Sequence, residues 1–195
     1  MNSYYNSKFK KVIVNIDMGE WFVSDQDVII QTILGSCISV CLYADHTNFA
    51  GMNHFMLPGK ISETDIGKSK SGRYGMYAME VLINELMKKG INKSHLKAKV
   101  FGGGNILKID NENLNIGRNN IVFIKEYLAE EGIPIISGDI GKDFARTILF
   151  FPPTKKVLMR KNDKTLAQLT IQNELKYKNT LSEKKDDDNS QVILF

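Results

Sequence analysis

Long apolar runs are missing from this sequence of 195 residues, and so are abundant cysteine, abundant proline and any large excess of one charge. No stretch approaches the ~18 apolar residues of a spanning helix, so membrane insertion is not expected. The opening residues MNSYYNSKFKK place no apolar run behind their charges and do not read as a secretory leader. The expected location is therefore cytoplasmic. In that reducing setting a disulfide between the two cysteines, Cys37 and Cys41, is not expected. Each thiol is then either a small buried hydrophobe or a reactive group. Four prolines and 15 glycines are too few for a collagen-like or low-complexity chain. The formal charge of +4 is modest. Residues 165–195 hold four lysines and five acids, a net of −1, which leaves +5 on the rest. That balance does not call for a nucleic-acid partner.

Metal chemistry is also poorly provided for. His46, His54 and His95 do not fall at ligand spacing, and Cys37 with Cys41 lacks a second pair. The acidic run Asp186-Asp187-Asp188 reads as a solvated stretch rather than a calcium loop. The glycine run Gly102-Gly103-Gly104 lacks both the Lys-Ser/Thr of a phosphate loop and the spacing of a dinucleotide turn. It reads better as a tight turn or a close backbone approach. No cofactor is expected.

What is present is the 43% apolar content of an ordinary globular protein, arranged with clear periods. Val12, Val14, Ile16 and Met18 alternate as a half-buried strand. Trp21 to Val23 is a short second run. Residues 28–43 are β-rich with a kink at Gly35, and Phe49 to Leu57 is a further strand beyond the turn cluster at 45–48. The simplest reading of 36–57 is a β-hairpin. Residues 59–73 are rich in Lys, Ser and Gly and read as a loop. Helices are expected from Tyr74 to Lys89 and from Asn119 to Glu131, closed by Gly90 and Gly132. Strands are expected at Leu96–Val100, Ile133–Ile136, Thr147–Phe151 and Val157–Arg160. This order predicts an α+β fold: a single domain, a sheet- and hairpin-rich core with about two main helices packed on it. Residues 1–10 read as an N-terminal arm and 11–162 as the domain. Residues 163–195 read as a tail that is partly helical or disordered, ending on the apolar Val192–Phe195.

The hairpin gives the cysteines different prospects. In an antiparallel pair, opposed residues have constant index sums. A turn centred between Asp45 and His46 puts Cys37 opposite His54. A turn centred between His46 and Thr47 puts His54 opposite Ser39, as a same-face diagonal neighbour of Cys37. A turn centred on a residue would send them to opposite faces. Ile38, Val40 and Leu42 face the other way, into a core. A thiol and an imidazole so placed can form a thiolate–imidazolium couple, with the thiolate as nucleophile and the imidazole moving the proton. Thr32 or a nearby carbonyl could orient the ring as a third member. Backbone N–H groups near Ser36 and Cys37, freed by the Gly35 kink, are candidate oxyanion donors. The competing reading is a core histidine beside a buried cysteine.

At these residues the chain resembles the CheD family, the chemoreceptor glutamine deamidases of bacterial chemotaxis. The resemblance runs through Leu34-Gly-Ser-Cys-Ile-Ser-Val-Cys-Leu-Tyr43, Gly51-Met-Asn-His-Phe-Met-Leu-Pro58 and Arg73-Tyr-Gly-Met-Tyr-Ala-Met-Glu80. It continues in Lys99-Val-Phe-Gly-Gly103, Asp139-Ile-Gly141 and Leu149-Phe-Phe-Pro152. It implies Cys37 as nucleophile, His54 as base and Thr32 as the third catalytic residue, with Cys41 non-catalytic. The implied reaction hydrolyses the side-chain amide of specific glutamines in methyl-accepting chemotaxis receptors, giving glutamate. The implied partners are those receptors, through their cytoplasmic helical bundle, and a CheC-type phosphatase. Three positions depart from the family pattern: Arg118 sits one place early, Ala145 precedes Arg146 where Gly is usual, and Lys155 follows Thr154 where Gly is usual. The alternative reading is a regulatory module that binds and modulates the phosphatase with little or no catalysis. A cysteine peptidase would share the Cys-His pair but not the sequence blocks.

Overall fold

The alternating strands fold into two stacked five-stranded sheets. The computed structural model describes residues 1–57, 70–106 and 115–183. The first sheet has the order β1 (Asn2–Asn6), β2 (Lys11–Asn15), β4 (Ile29–Leu34), β9 (Arg146–Phe151), β10 (Lys156–Lys161). The second has the order β3 (Trp21–Ser24), β6 (Ala50–Asn53), β5 (Ile38–Tyr43), β7 (Lys97–Gly102), β8 (Ile135–Ile140). Three α-helices complete the fold: α1 (Lys70–Lys88), α2 (Ile116–Glu130) and α3 (Lys164–Glu183). The α+β class expected from the element order is the class observed.

Strand β5 explains the layering. All six of its residues are buried. Ile38, Val40 and Leu42 pack with Met79, Leu82 and Leu86 of α1 and Phe123, Ile124 and Leu128 of α2. Cys41 and Tyr43, with Cys37 just before the strand, face the other way and meet Ile30, Leu34, Ile148 and Phe150 of the first sheet. A side-chain period of two thus feeds two separate cores from one strand. Full burial of each Leu, Ile or Val is worth roughly 1.5–3 kcal/mol, so β5 is among the best-anchored segments.

Several expected boundaries move. Residues 28–43 are not one kinked strand: β4 belongs to one sheet and β5 to the other, and the chain crosses between sheets at Gly35-Ser36-Cys37. Residues 2–6, read as an arm, form β1 antiparallel to β2. Helix α2 starts three residues before the expected Asn119, because the Asn115 side chain caps it by accepting from the Arg118 N–H. Strand β8 runs to Ile140 in parallel with β7, and its exposed first four residues hid its length from an alternation test. Gly90 and Gly132 adopt φ of +85° and +67°, as helix-ending glycines do. The loop expected over 59–73 lies mostly outside the described residues, and the acidic run 186–188 and the apolar end 192–195 lie wholly outside them. Among the described residues, no helix is long and apolar enough to cross a membrane.

Candidate active site

The change of sheet at residues 35–37 leaves three consecutive residues outside either ladder, and their backbone groups need other partners. All three carbonyls find them on one side. Gly104 N–H donates to Gly35 O at 2.7 Å and Gly103 N–H to Cys37 O at 2.7 Å. The Asn120 side chain, buried on α2, donates to Ser36 O at 2.8 Å, while its carbonyl accepts from Leu57 N–H at 2.9 Å. The approach of the glycine run is close. A Cβ on Gly102, whose φ is +111°, would stand 2.0 Å from Cys37 O. The run is therefore a backbone clamp, in line with the close approach expected of it. Beneath it, buried Arg146 pairs with Asp139 and donates to the carbonyls of Gly141 and Phe144.

With the carbonyls held, the N–H groups of Gly35, Ser36 and Cys37 point together. Such a nest of backbone donors binds an anion. The anion present is the carboxylate of Glu174 on α3. It accepts from Gly35 N–H at 3.0 Å, Ser36 N–H at 3.1 Å, Cys37 N–H at 3.3 Å and Ser36 Oγ–H at 2.6 Å. The N–H groups of Ser36 and Cys37, the candidate oxyanion donors, are here engaged by Glu174 together with that of Gly35.

His54 follows β6. Its N–H donates to Glu20 O at 2.9 Å and its carbonyl accepts from Gly19 N–H at 2.8 Å. The pairs Cys41↔Met52, Leu42↔Gly51 and Tyr43↔Ala50, continued by the bridge Ile38↔Phe55, select the second of the two productive registers. His54 thus lies on the Cys37 face, diagonal to it. Asn53 fills the interval between these pairs: its side chain accepts from Val40 N–H at 3.0 Å and donates to Ala78 O at 3.1 Å.

From this face the imidazole reaches across to the other sheet. Its Nδ1 lies 2.7 Å from Thr32 Oγ1, and that hydroxyl lies 2.8 Å from Ile16 O. The carbonyl can only accept, so the single hydroxyl proton goes to Ile16. Nδ1 must then carry a hydrogen and donate it to Thr32. This fixes the tautomer with the lone pair on Nε2, which is buried and has no hydrogen-bond partner. Burial depresses the His54 pKa from 6.5 to about 4, against smaller opposing effects of the Ile16 carbonyl and the Glu20 charge. The ring is therefore a neutral base. It borders two cavities of about 250 and 260 Å³, one flanked by Glu174 and the other by Tyr74 and Tyr177.

The Cys37 thiol is fully buried with the Glu174 carboxylate beside it, and the His54 Nε2 is without a hydrogen-bond partner. Burial pushes the thiol pKa up, and the adjacent Glu174 charge and hydrogen bond push it further. As held here, the thiol is protonated. Cys41 is equally buried, packed between the two sheets, and its pKa is also raised by burial. His46 and His95 stack edge to face elsewhere, 5.0 Å between centroids. Among the described residues no cluster of three His, Cys, Asp or Glu could hold a metal ion.

Sequence reasoning did not single out Asn120, Glu174, Tyr74 or Tyr177. The hydroxyls of Tyr74 and Tyr177 are 2.5 Å apart and join α1 to α3. Glu174 carried no local signal, since its partners lie 137 to 139 residues away.

The chain is similar in sequence to known proteins. A family model described as CheD chemotactic sensory transduction matches residues 56–161. Proteins named "Probable chemoreceptor glutamine deamidase CheD" align over more of the chain. The one from Laribacter hongkongensis is 37% identical over 92% of this chain and 86% of its own length. That from Methylobacillus flagellatus is 40% identical over 94% and 91%. That from Bordetella avium is 45% identical over 81% and 69%. The chain belongs to the CheD family.

Proposed function

We propose that this protein is a cytoplasmic protein-glutamine deamidase that converts specific glutamines of methyl-accepting chemotaxis receptors to glutamates. The reading is supported by a neutral His54 that Thr32 orients, by the strand register that puts His54 on the same face as Cys37, and by the nest of backbone donors that includes the Cys37 N–H. In the reaction, His54 Nε2 takes the thiol proton and the Cys37 sulfur attacks the carboxamide carbon. The oxygen, becoming negative, is held by the N–H groups of Ser36 and Cys37, with Gly35 beside them. The C–N bond breaks as His54 returns the proton, and ammonia leaves. Water, deprotonated by His54, then cleaves the thioester to glutamate and free thiol. Apart from the substrate and one water, the steps draw on side chains and backbone of this chain.

The catalytic domain in this reading is built on residues 11–162, with β1 added at the edge of its first sheet and α3 packed on it. A CheC-type phosphatase is the second proposed partner. The test mixes the purified protein with receptor cytoplasmic fragments and follows glutamine-containing peptides by mass spectrometry. Amide-to-acid conversion is expected with the wild type and not with Cys37→Ala. Conversion that persists unchanged in Cys37→Ala would refute the nucleophile. Binding of the phosphatase with no conversion of any fragment would favour the regulatory module instead.

A further inference from the structure

We propose that α3 is a built-in product mimic, in which Glu174 fills the subsite for the substrate glutamine side chain and holds the enzyme at low activity until substrate or a partner displaces α3. The proposal rests on the deamidase reading and concerns the regulation of the same site. Glutamate is the product of that reaction, and a glutamate side chain is what the nest contains. Its carboxylate has the shape of a carboxamide. It meets the donors that would receive the substrate oxygen, among them the backbone N–H of Cys37, whose thiol would attack the carbon.

The way α3 is attached supports a removable plug. Among its residues at 164–180, only Thr170 and Glu174 are buried. The Thr170 hydroxyl bonds within the helix, to Leu166 O. Leu169 and Leu175 are 50% and 43% exposed. No apolar side chain of the helix is fully buried there; Leu166, Ala167, Ile171 and Tyr177 are half-buried, so its apolar seat is shallow. Its deepest grip is one carboxylate, with the Tyr177–Tyr74 contact one turn further on. Meanwhile the loop that forms the nest is shaped by Gly103, Gly104 and Asn120, none of which belongs to α3. The donors stay in place when α3 leaves. With Glu174 seated, the thiol is kept protonated by burial and by the neighbouring negative charge. A protonated thiol is a poor nucleophile.

The same geometry makes a sharp test. In Glu174→Gln the chain presents a side-chain amide to its own Cys37. The sulfur bonds to the amide carbon, the C–N bond breaks with the proton from His54, ammonia leaves, and water restores the acid. Mass spectrometry of the tryptic peptide should show the acid form accumulating in Glu174→Gln. The amide should persist when Cys37→Ala is combined with it. In Glu174→Ala, alkylation of Cys37 by iodoacetamide at pH 8 should rise at least about tenfold, since the thiol loses both its cover and the negative neighbour that disfavours the thiolate. Deamidation of receptor fragments should rise in parallel. Circular dichroism establishes that each variant is folded. Alkylation and receptor deamidation both unchanged in Glu174→Ala, with the amide stable in Glu174→Gln, would overturn the plug while leaving the deamidase intact. Faster alkylation in Glu174→Ala, with no receptor or self-deamidation in any variant, would retain the cover over Cys37 and overturn the deamidase reading.

Discussion

Acid should destabilise this protein through His54 specifically, and the size of the effect follows from its burial. Folded, the ring titrates at about 4; unfolded, it returns to the ordinary 6.5. The folded state therefore binds fewer protons than the unfolded state between those values, and stability rises with pH there. The contribution is fully present above pH 6.5 and is lost as pH falls through 4. Between pH 7.5 and 4.5 the linkage amounts to about 2.5 kcal/mol, because a one-proton difference between the two states is worth about 1.4 kcal/mol for each pH interval of one. His54 is only 5% exposed, so solvent screening removes little of this. Urea unfolding of the wild type and of His54→Gln at both pH values gives the double difference. Carboxylates distant from the ring titrate alike in both proteins and cancel. The nearby Glu20 feels the His54 charge and accounts for a small residue. The wild type should lose about 2–3 kcal/mol more than the variant on acidification. A double difference below about 1 kcal/mol would mean that the ring is solvated or already charged in the folded protein. The fixed neutral tautomer would then be wrong.

Two further outcomes test the surroundings of the ring. Thr32→Val keeps the shape and removes the acceptor of the His54 Nδ1 hydrogen, leaving a buried donor unsatisfied at about 1–3 kcal/mol. If that loss appears in the transition state, kcat for receptor deamidation should fall roughly 5- to 150-fold with KM little changed; an unchanged kcat would remove Thr32 from the mechanism. Cys41→Ala leaves a small cavity between the sheets and should cost about 1–2 kcal/mol in chemical denaturation. Its deamidation rate should stay within about twofold of wild type, and a loss on the scale of Cys37→Ala would show that the two thiols act together.

The relation of Cys37 to Cys41 and His54 shows how far local pattern reaches. Side chains alternate along a strand, so the sequence already separated the face of Cys37 and Cys41 from that of Ile38, Val40 and Leu42. A paired-turn argument reduced the placement of His54 to two productive registers. It could not choose between them, because the choice depends on partners at 50–55 bonding to 38–43. Gly35 was legible as a break, but not as the point where the chain passes from one sheet to the other. That passage is a matter of which strands pair, and strand pairing is long-range.

Sequence alone therefore determined the elements with strong periods and the α+β class, because these depend on spacing within a few residues, and it nominated Cys37, His54 and Thr32 through a hairpin register and a family resemblance. Tertiary structure alone decided the rest. The Thr32–His54 bond joins two different sheets. The carbonyls of the 35–37 loop are held by a helix and a glycine run from later in the chain. A carboxylate from α3 fills the nest of donors that results. A buried backbone group must find a partner, but nothing in its own neighbourhood of sequence says which distant residue supplies it.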